Sequence, residues 1–175
     1  QIICDTMFDL KFKKDQFKIN IFNRKIIEGL LNDLKIKDEN QRFSVLRAID
    51  KYERIDENFI DLLQKERVDP VSGDKITGAN LSNDQAKLII EFLKLKDLKD
   101  LKLECKNELQ KEGITELEEI FKILNDNKYL DQVQVDSSKV RGLNYYDSVT
   151  FETTINFKVK NKQNKPVDLG SVASG

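Results

Sequence analysis

An α+β fold, in which an antiparallel sheet is interrupted by a mostly helical insertion, is the class this sequence predicts. Three observations carry it. Residues 16–22 alternate apolar and polar side chains with the period of two that marks a half-buried strand. Residues 23–110 then repeat apolar positions every three to four residues, the spacing of helices that bury one stripe. Beyond about residue 130 the period returns to two, so strands at both ends of the chain flank the helical block.

Ile2, Ile3, Met7, Phe8 and Leu10 have helical spacing, with no capping residue ahead of them. In the first strand Phe17, Ile19 and Ile21 fall on one face, Lys18 and Asn20 on the other. Asn23 is placed to cap a helix whose stripe is Ile26, Ile27, Leu30, Leu31 and Leu34. A helix after Asp38 should bury Phe43, Leu46, Ile49 and Tyr52, and one capped by Asp56 should bury Phe59, Ile60, Leu62 and Leu63. Pro70, Gly73 and Gly78 make residues 68–80 a loop. Ser82 and Gln85 stand at capping-box spacing ahead of a helix burying Ala86, Ile89, Ile90 and Leu93. Leu98, Leu101, Cys105 and Leu109 read as one helical stripe, and after Gly113 a further helix opens at Thr115 with Leu117, Ile120, Phe121 and Leu124 inward. Val133 with Val135, and the alternating run from Val149 to Phe157, read as antiparallel strands. Residues 161–166 form a polar turn, and residues 169–175 return as a strand.

Composition limits the chemistry. With 30 basic and 31 acidic side chains and 39% apolar content, the 175 residues have the balance of a folded, heavily charged protein. There is no histidine, which excludes Ser-His-Asp and Cys-His nucleophile systems and mixed His/Cys zinc sites within this sequence. Cys4 and Cys105 sit in apolar helical patterns far apart, as two buried thiols of a reducing compartment would. No apolar run approaches the ~18–20 residues of a membrane span, and no secretory address is visible, so no membrane partner is expected. The chain opens on Gln1 and stops at Gly175 inside a predicted strand, so an internal segment of a longer chain is expected. The lysines of residues 94–111 have acidic neighbours three or four positions away and read as a solvated face of i,i+4 pairs, not as a nucleic-acid patch, which needs uncompensated positive charge.

The segment with chemical content is Lys139-Val140-Arg141-Gly142-Leu143-Asn144-Tyr145-Tyr146, followed by Phe151-Glu152. A glycine inside strand-like sequence weakens the strand unless a bulge or a close approach needs it. In an unbroken strand Arg141 and Tyr146 would point to opposite faces, whereas a turn at Gly142 would bring them to one surface. That surface would offer a guanidinium fork, phenol hydroxyls and bare backbone, which suits an anionic, planar ligand. The alternative is an ordinary hairpin with packed tyrosines.

Val140-Arg141-Gly142-Leu143-Asn144-Tyr145-Tyr146 resembles the histidine-specific motif of histidyl-tRNA synthetases, Val-Arg-Gly-Leu-Asp-Tyr-Tyr, and Phe151-Glu152 stands where that family has Phe-Glu or Tyr-Glu. Gly170-Ser171-Val172-Ala173-Ser174-Gly175 resembles the opening of the family's glycine-rich strand. Residues 17–29 resemble the strand and helix after the second class-defining motif, and Ala48-Ile49-Asp50-Lys51 a patch of the helical insertion. Asn144 stands in place of the usual Asp, and Asp147-Ser148 in place of a Thr-Gly turn.

The resemblance implies a class II aminoacyl-tRNA synthetase core, in part: residues 1–22 and 111–175 from the catalytic sheet, residues 23–110 from the insertion that reaches toward tRNA. It implies that Arg141 contacts the adenylate phosphate and the substrate carboxylate. Tyr145 and Tyr146 would line the histidine pocket, and Gly142, Ala173, Ser174 and Gly175 would let ligand approach the backbone. ATP is the implied co-substrate, with Mg2+ held by residues outside this sequence. Histidine and tRNA(His) are the implied partners of a homodimeric parent enzyme, and the 175 residues alone would be inactive. Two rivals stand beside this reading: a paralogue that senses histidine, such as the regulatory subunit of ATP phosphoribosyltransferase, and a free-standing helical interaction module.

Overall fold

The computed structural model of the chain describes residues 1–52, 59–68, 73, 75, 76, 78–140, 142, 146–167 and 169–175. Helix α1 (Ile2–Asp9) leads into strand β1 (Phe17–Asn23), followed by α2 (Arg24–Asp33), α3 (Glu39–Ile49) and α4 (Phe59–Gln64). Two short strands, β2 (Arg67–Val68) and β3 (Lys75–Ile76), precede α5 (Asn83–Leu93), α6 (Leu98–Glu104) and α7 (Glu108–Asp126). The chain ends in β4 (Val133–Val135), β5 (Val149–Ile155), β6 (Val159–Lys160), β7 (Pro166–Val167) and β8 (Ser171–Ser174).

One sheet, in the order β4-β1-β5-β8, brings the front of the chain together with its back. β5 runs antiparallel to both β1 and β8. β4 does not fit the antiparallel expectation: it lies parallel to β1, with Val133 opposite Ile19 and Val135 opposite Ile21. The reason is connectivity. α7 runs back along the sheet before β4 begins, so the chain re-enters in the direction of β1. The alternating run after Val149 stops at Ile155, leaving Phe157 exposed, and the last strand is confined to Ser171–Ser174. Residues 68–80, expected as loop, contain the small β2–β3 hairpin.

β1 is not half-buried, as its alternation predicts, but buried on both faces: Asn20 is 4% exposed and Phe22 fully enclosed. Phe17, Ile19, Ile21 and Asn23 point to the side covered by α1, α2 and α7, where Phe17 meets Phe8 edge-on at 5.5 Å. Phe22 points the other way and meets Phe92 of α5 at 6.5 Å. The sheet and the helical block therefore share one apolar interior.

The helix starts follow the expected caps. Asn23 accepts from the Lys25 amide at 3.0 Å, and Asp38 accepts from Gln41 at 2.8 Å. The Ser82–Gln85 capping box is complete. The cap expected of Asp56 lies outside the described residues. Phe43, Tyr52, Ile60 and Ile90, expected inside, are half-buried.

Residues 98–109 are not one stripe. α6 ends at Glu104, and Asn107 with Gln110 forms a second capping box that starts α7 upstream of Gly113. Gly113 lies inside the helix because α2 crosses there: a Cβ at 113 would stand 2.7 Å from Ile26 Cγ1, and one at Gly29 would stand 2.4 Å from Gln110 Cγ. The two glycines let the helices approach, at a loss of roughly 1 kcal/mol each in helix propensity relative to Ala. Three helix ends use a different device. Lys11, Lys35 and Lys128 adopt left-handed φ values of 67°, 58° and 64°. Each is followed by an apolar residue (Phe12, Ile36, Tyr129) whose amide reaches back to the helix at 3.0, 3.0 and 2.8 Å.

Gly113→Ala gains helix propensity but must displace the enclosed Ile26. A net destabilisation of about 1–2 kcal/mol is expected, read as a lower urea midpoint at unchanged slope.

Candidate functional site

Register decides which side chains share a sheet face. Gln134 of β4 lies opposite Asn20, Asn20 opposite Glu152, and Glu152 opposite Ser174. A polar row thus crosses all four strands on the face turned away from α2 and α7. It is bonded laterally: Gln134 Nε2 donates to Asn20 Oδ1 at 2.6 Å, and Asn20 Nδ2 donates to Thr154 Oγ1 at 3.3 Å. A four-strand floor of amides, hydroxyls and one carboxylate is unsuited to apolar packing and suited to a polar ligand.

The described parts of the segment joining β4 to β5, residues 136–140 and 146–148, are fastened to the sheet and to the neighbouring helices. At the near end Asp136 Oδ1 accepts from the Ser138 amide at 2.9 Å, from Ser138 Oγ at 2.6 Å and from Lys96 Nζ. Ser137 Oγ lies 2.9 Å from the Phe92 carbonyl and 2.7 Å from that of Leu95, closing the end of α5. Next comes Lys139, 8% exposed, whose Nζ pairs with Glu152 Oε2 at 2.8 Å. Its carbonyl accepts from Thr150 Oγ1 at 2.7 Å. Val140 is fully enclosed.

At the far end, Ser148 Oγ donates to Glu116 Oε2 at 2.7 Å, and the Ser148 carbonyl accepts from the Arg24 amide at 2.9 Å. Glu116 also accepts from Asn23 Nδ2 at 2.6 Å and from Lys25 Nζ at 2.5 Å. Burial opposes the charge on Glu116, but the hydrogen bonds from Lys25, Ser148 and Asn23 outweigh it and hold the carboxyl below its usual value. The hydrogen bonds that Lys25 donates to Glu112 and Glu116 raise its pKa to about 12. Ser148, a departure from the resembling motif, is therefore an anchor of this loop.

The chain bends at Gly142, which lies against the end of α3: a Cβ there would stand 3.4 Å from Arg47 Cα and 3.5 Å from Asp50 Cβ. Those are ordinary contacts, so packing does not require glycine at 142. Tyr146 is half-buried. Arg141 and Tyr145 lie outside the described residues. Ala173 pairs with Thr153 and therefore points away from the polar row, whereas Ser174 lies in it. Gly175 exchanges both backbone bonds with Phe151, at 3.1 and 2.8 Å, and a Cβ there would stand 2.5 Å from the Phe151 ring. Its bare backbone thus serves the Phe151 side chain.

Sequence reasoning missed Lys139, Asn20, Gln134 and Glu116. A lysine and glutamate thirteen residues apart carry no spacing rule, but polar residues within otherwise apolar strands were a usable signal at Asn20. The lysine run also differs from expectation. Lys96 pairs with Asp136 and Lys102 with Glu118 on other elements, while Lys111–Glu108 is a pair within one helix, at 2.9 Å and i,i+3 spacing. Lys96, Lys99 and Lys102 border a cleft of about 540 Å3 against α7 and β4. Among the described residues no group of three thiols or carboxylates could hold a metal, and no helix is long and apolar enough to cross a membrane.

Comparison with known proteins decides among families. The chain is 50% identical over 177 residues to a histidine–tRNA ligase of Pelagibacter ubique, an alignment covering 99% of the chain. The chain is a homologue of the histidine–tRNA ligases. It spans 38% of the length of that relative. The crystal structure of a histidyl-tRNA synthetase from a Nostoc species superposes with a TM-score of 0.69 at 25% identity, covering 88% of this chain and 35% of that one. An ATP phosphoribosyltransferase regulatory subunit/histidyl-tRNA synthetase from Bacillus halodurans shares the fold, with a TM-score of 0.64 at 16% identity over 94% of this chain and 38% of that one. No family model matches the chain. The mixed fold, a small sheet with several helices, is the one that the histidyl-tRNA synthetase likeness implies.

Two outcomes follow from the site's electrostatics. Glu116, with its folded pKa below the ordinary 4.5, contributes stability that is complete above that value and is lost as pH falls through the folded one. Glu116→Gln should lower stability by about 1–2 kcal/mol at pH 7 and flatten its fall toward acid, measured by urea unfolding from pH 7 to 3. Burial pushes the Cys105 thiol up to about 12. It should therefore resist a disulfide reagent at pH 8 in the native protein and react on unfolding.

Proposed function

We propose that the protein containing this chain activates L-histidine with ATP to histidyl-adenylate and transfers it to tRNA(His). The observation that carries the reading is the 50% identity to a histidine–tRNA ligase over a stretch that includes Arg141-Gly142-Leu143-Asn144-Tyr145-Tyr146. The polar row across the four strands supports it.

In this reading, Arg141 stabilises the charge that develops on the α-phosphate as the histidine carboxylate attacks it. A fixed guanidinium does so without reorganisation at the moment of reaction. Tyr145 and Tyr146 orient the neutral imidazole, since a phenol hydrogen-bonds it without taking its proton at neutral pH. Ser174, in the polar row, lies on the ligand side. Gly142, which packing does not require, leaves room for ligand against backbone, whereas Ala173 points away from the polar row and the bare backbone of Gly175 is taken up by the Phe151 ring. Magnesium, with ligands elsewhere in the parent, would neutralise the ATP phosphates.

The parent is proposed as a cytoplasmic homodimer. Residues 1–22 and 111–175 are its catalytic sheet layer and residues 23–110 its insertion toward tRNA. α2, at the front of that insertion, travels with the sheet because of its close crossing with α7. The free-standing helical module is disfavoured by the interior that the helices share with the sheet. The regulatory paralogue rests on a likeness of fold at 16% identity and has no sequence observation behind it.

In the full-length protein, exchange of labelled pyrophosphate into ATP should require histidine. Arg141→Ala should reduce it by about 10²–10³-fold. Unchanged exchange in the variant would remove Arg141 from the reaction, and no exchange in the wild type would remove the reaction itself.

A further inference from the structure

We infer that Lys139 and Glu152 form a clasp that fixes where the chain leaves the sheet ahead of the Arg141–Tyr146 motif, and that they are positioning residues for the reaction proposed for that motif. The inference rests on the reaction proposed above for what the ligand is, but not for the clasp itself.

Three observations carry it. Lys139 is fastened twice to one strand: its ammonium to Glu152 at 2.8 Å and its carbonyl to the Thr150 hydroxyl at 2.7 Å. Positions 150 and 152 lie on the same face of β5, so side chain and main chain of one residue are tied to two successive same-face positions. This sets both the height and the direction in which the chain leaves toward Arg141, two residues on.

The pair is nearly enclosed, with side chains 8% and 15% exposed. Removing two charges from water offsets most of their attraction, and an apolar pair of the same shape would commonly serve stability as well. What an ion pair adds is geometry: a partner that only one register satisfies. Glu152 also sits in the polar row, between Asn20 and Ser174, so the clasp ties the segment to the same floor that would face the ligand.

The far end of the segment is held independently, by Ser148 on Glu116. Loosening the clasp therefore frees the chain at Val140 while Ser148 stays tied. Displacement of a reacting group by about an ångström lowers rates by up to about 10²-fold.

The experiment compares full-length wild type with Glu152→Gln, Lys139→Met and the double variant, by amide deuterium uptake and by histidine-dependent pyrophosphate exchange. Uptake in peptides covering residues 139–147 should rise about tenfold in each variant, with uptake in α2 and α7 unchanged. Each single variant should lose about 10- to 100-fold in kcat/KM for histidine, and the double variant should lose less than the product of the two single losses, since the pair is broken in all three. Unchanged local uptake overturns the clasp, whatever the activity. A variant that opens everywhere, α2 and α7 included, shows a merely structural pair and overturns positioning, as do additive losses in the double variant. Raised local uptake in a protein whose wild type shows no exchange leaves the clasp standing and removes the proposed reaction.

Discussion

A seven-residue strand with neighbours on both edges and cover on both faces leaves little freedom to anything around it. β1 is hydrogen-bonded to β4 on one side and β5 on the other, and both of its faces are enclosed. Its odd positions, Phe17, Ile19 and Ile21, bring α1, α2 and α7 onto one side of the sheet. Its even positions do two different things. Phe22 draws in α5 through Phe92, while Asn20 starts the amide-and-hydroxyl row that runs to Ser174. The division between apolar packing and the polar row thus begins within this strand and is passed outward by register.

Charge is placed where the chain must change direction. Glu116 gathers the end of β1, the start of α2 and the entrance to β5; Asp136 gathers the exit of β4 and the end of α5. Each carboxylate is met by three donors, which turns an anion, enclosed at Asp136 and half-buried at Glu116, into a junction between elements. The ion pairs Lys102–Glu118 and Lys111–Glu108 are exposed, and water screens them.

Much of this was legible in the sequence where the signal was local. Asn23, Asp38 and Ser82 were recognisable because a capping side chain bonds an amide two or three residues away. Asn107 had the same chemistry and was obscured by Gly113, which looks like a break until the partner helix across it is known. The antiparallel expectation failed at β4 because three residues show alternation but not direction. Helices ending on Lys11, Lys35 and Lys128 offered no glycine to read; their stop is encoded by the apolar residue that follows. Of the candidate site, the motif and its following Phe-Glu were readable by resemblance, whereas Lys139 with Glu152, and Gln134 beside Asn20, are products of strand pairing that no spacing rule reaches. Ser148 looked like a departure from the motif and is an anchor, which only the position of Glu116 reveals.

The shared interior has a consequence for how such a chain can change over evolutionary time. An inserted block joined to its host by two peptide crossings can be lengthened, shortened or lost as a loop can. Here the helices line the sheet: Phe22 belongs to the sheet but is enclosed by Phe92, and the Ser137 hydroxyl, at the exit of β4, closes the end of α5. Sheet and helices have become each other's wall. Substitutions on one side of that wall must be matched on the other, so the two parts are bound to diverge together.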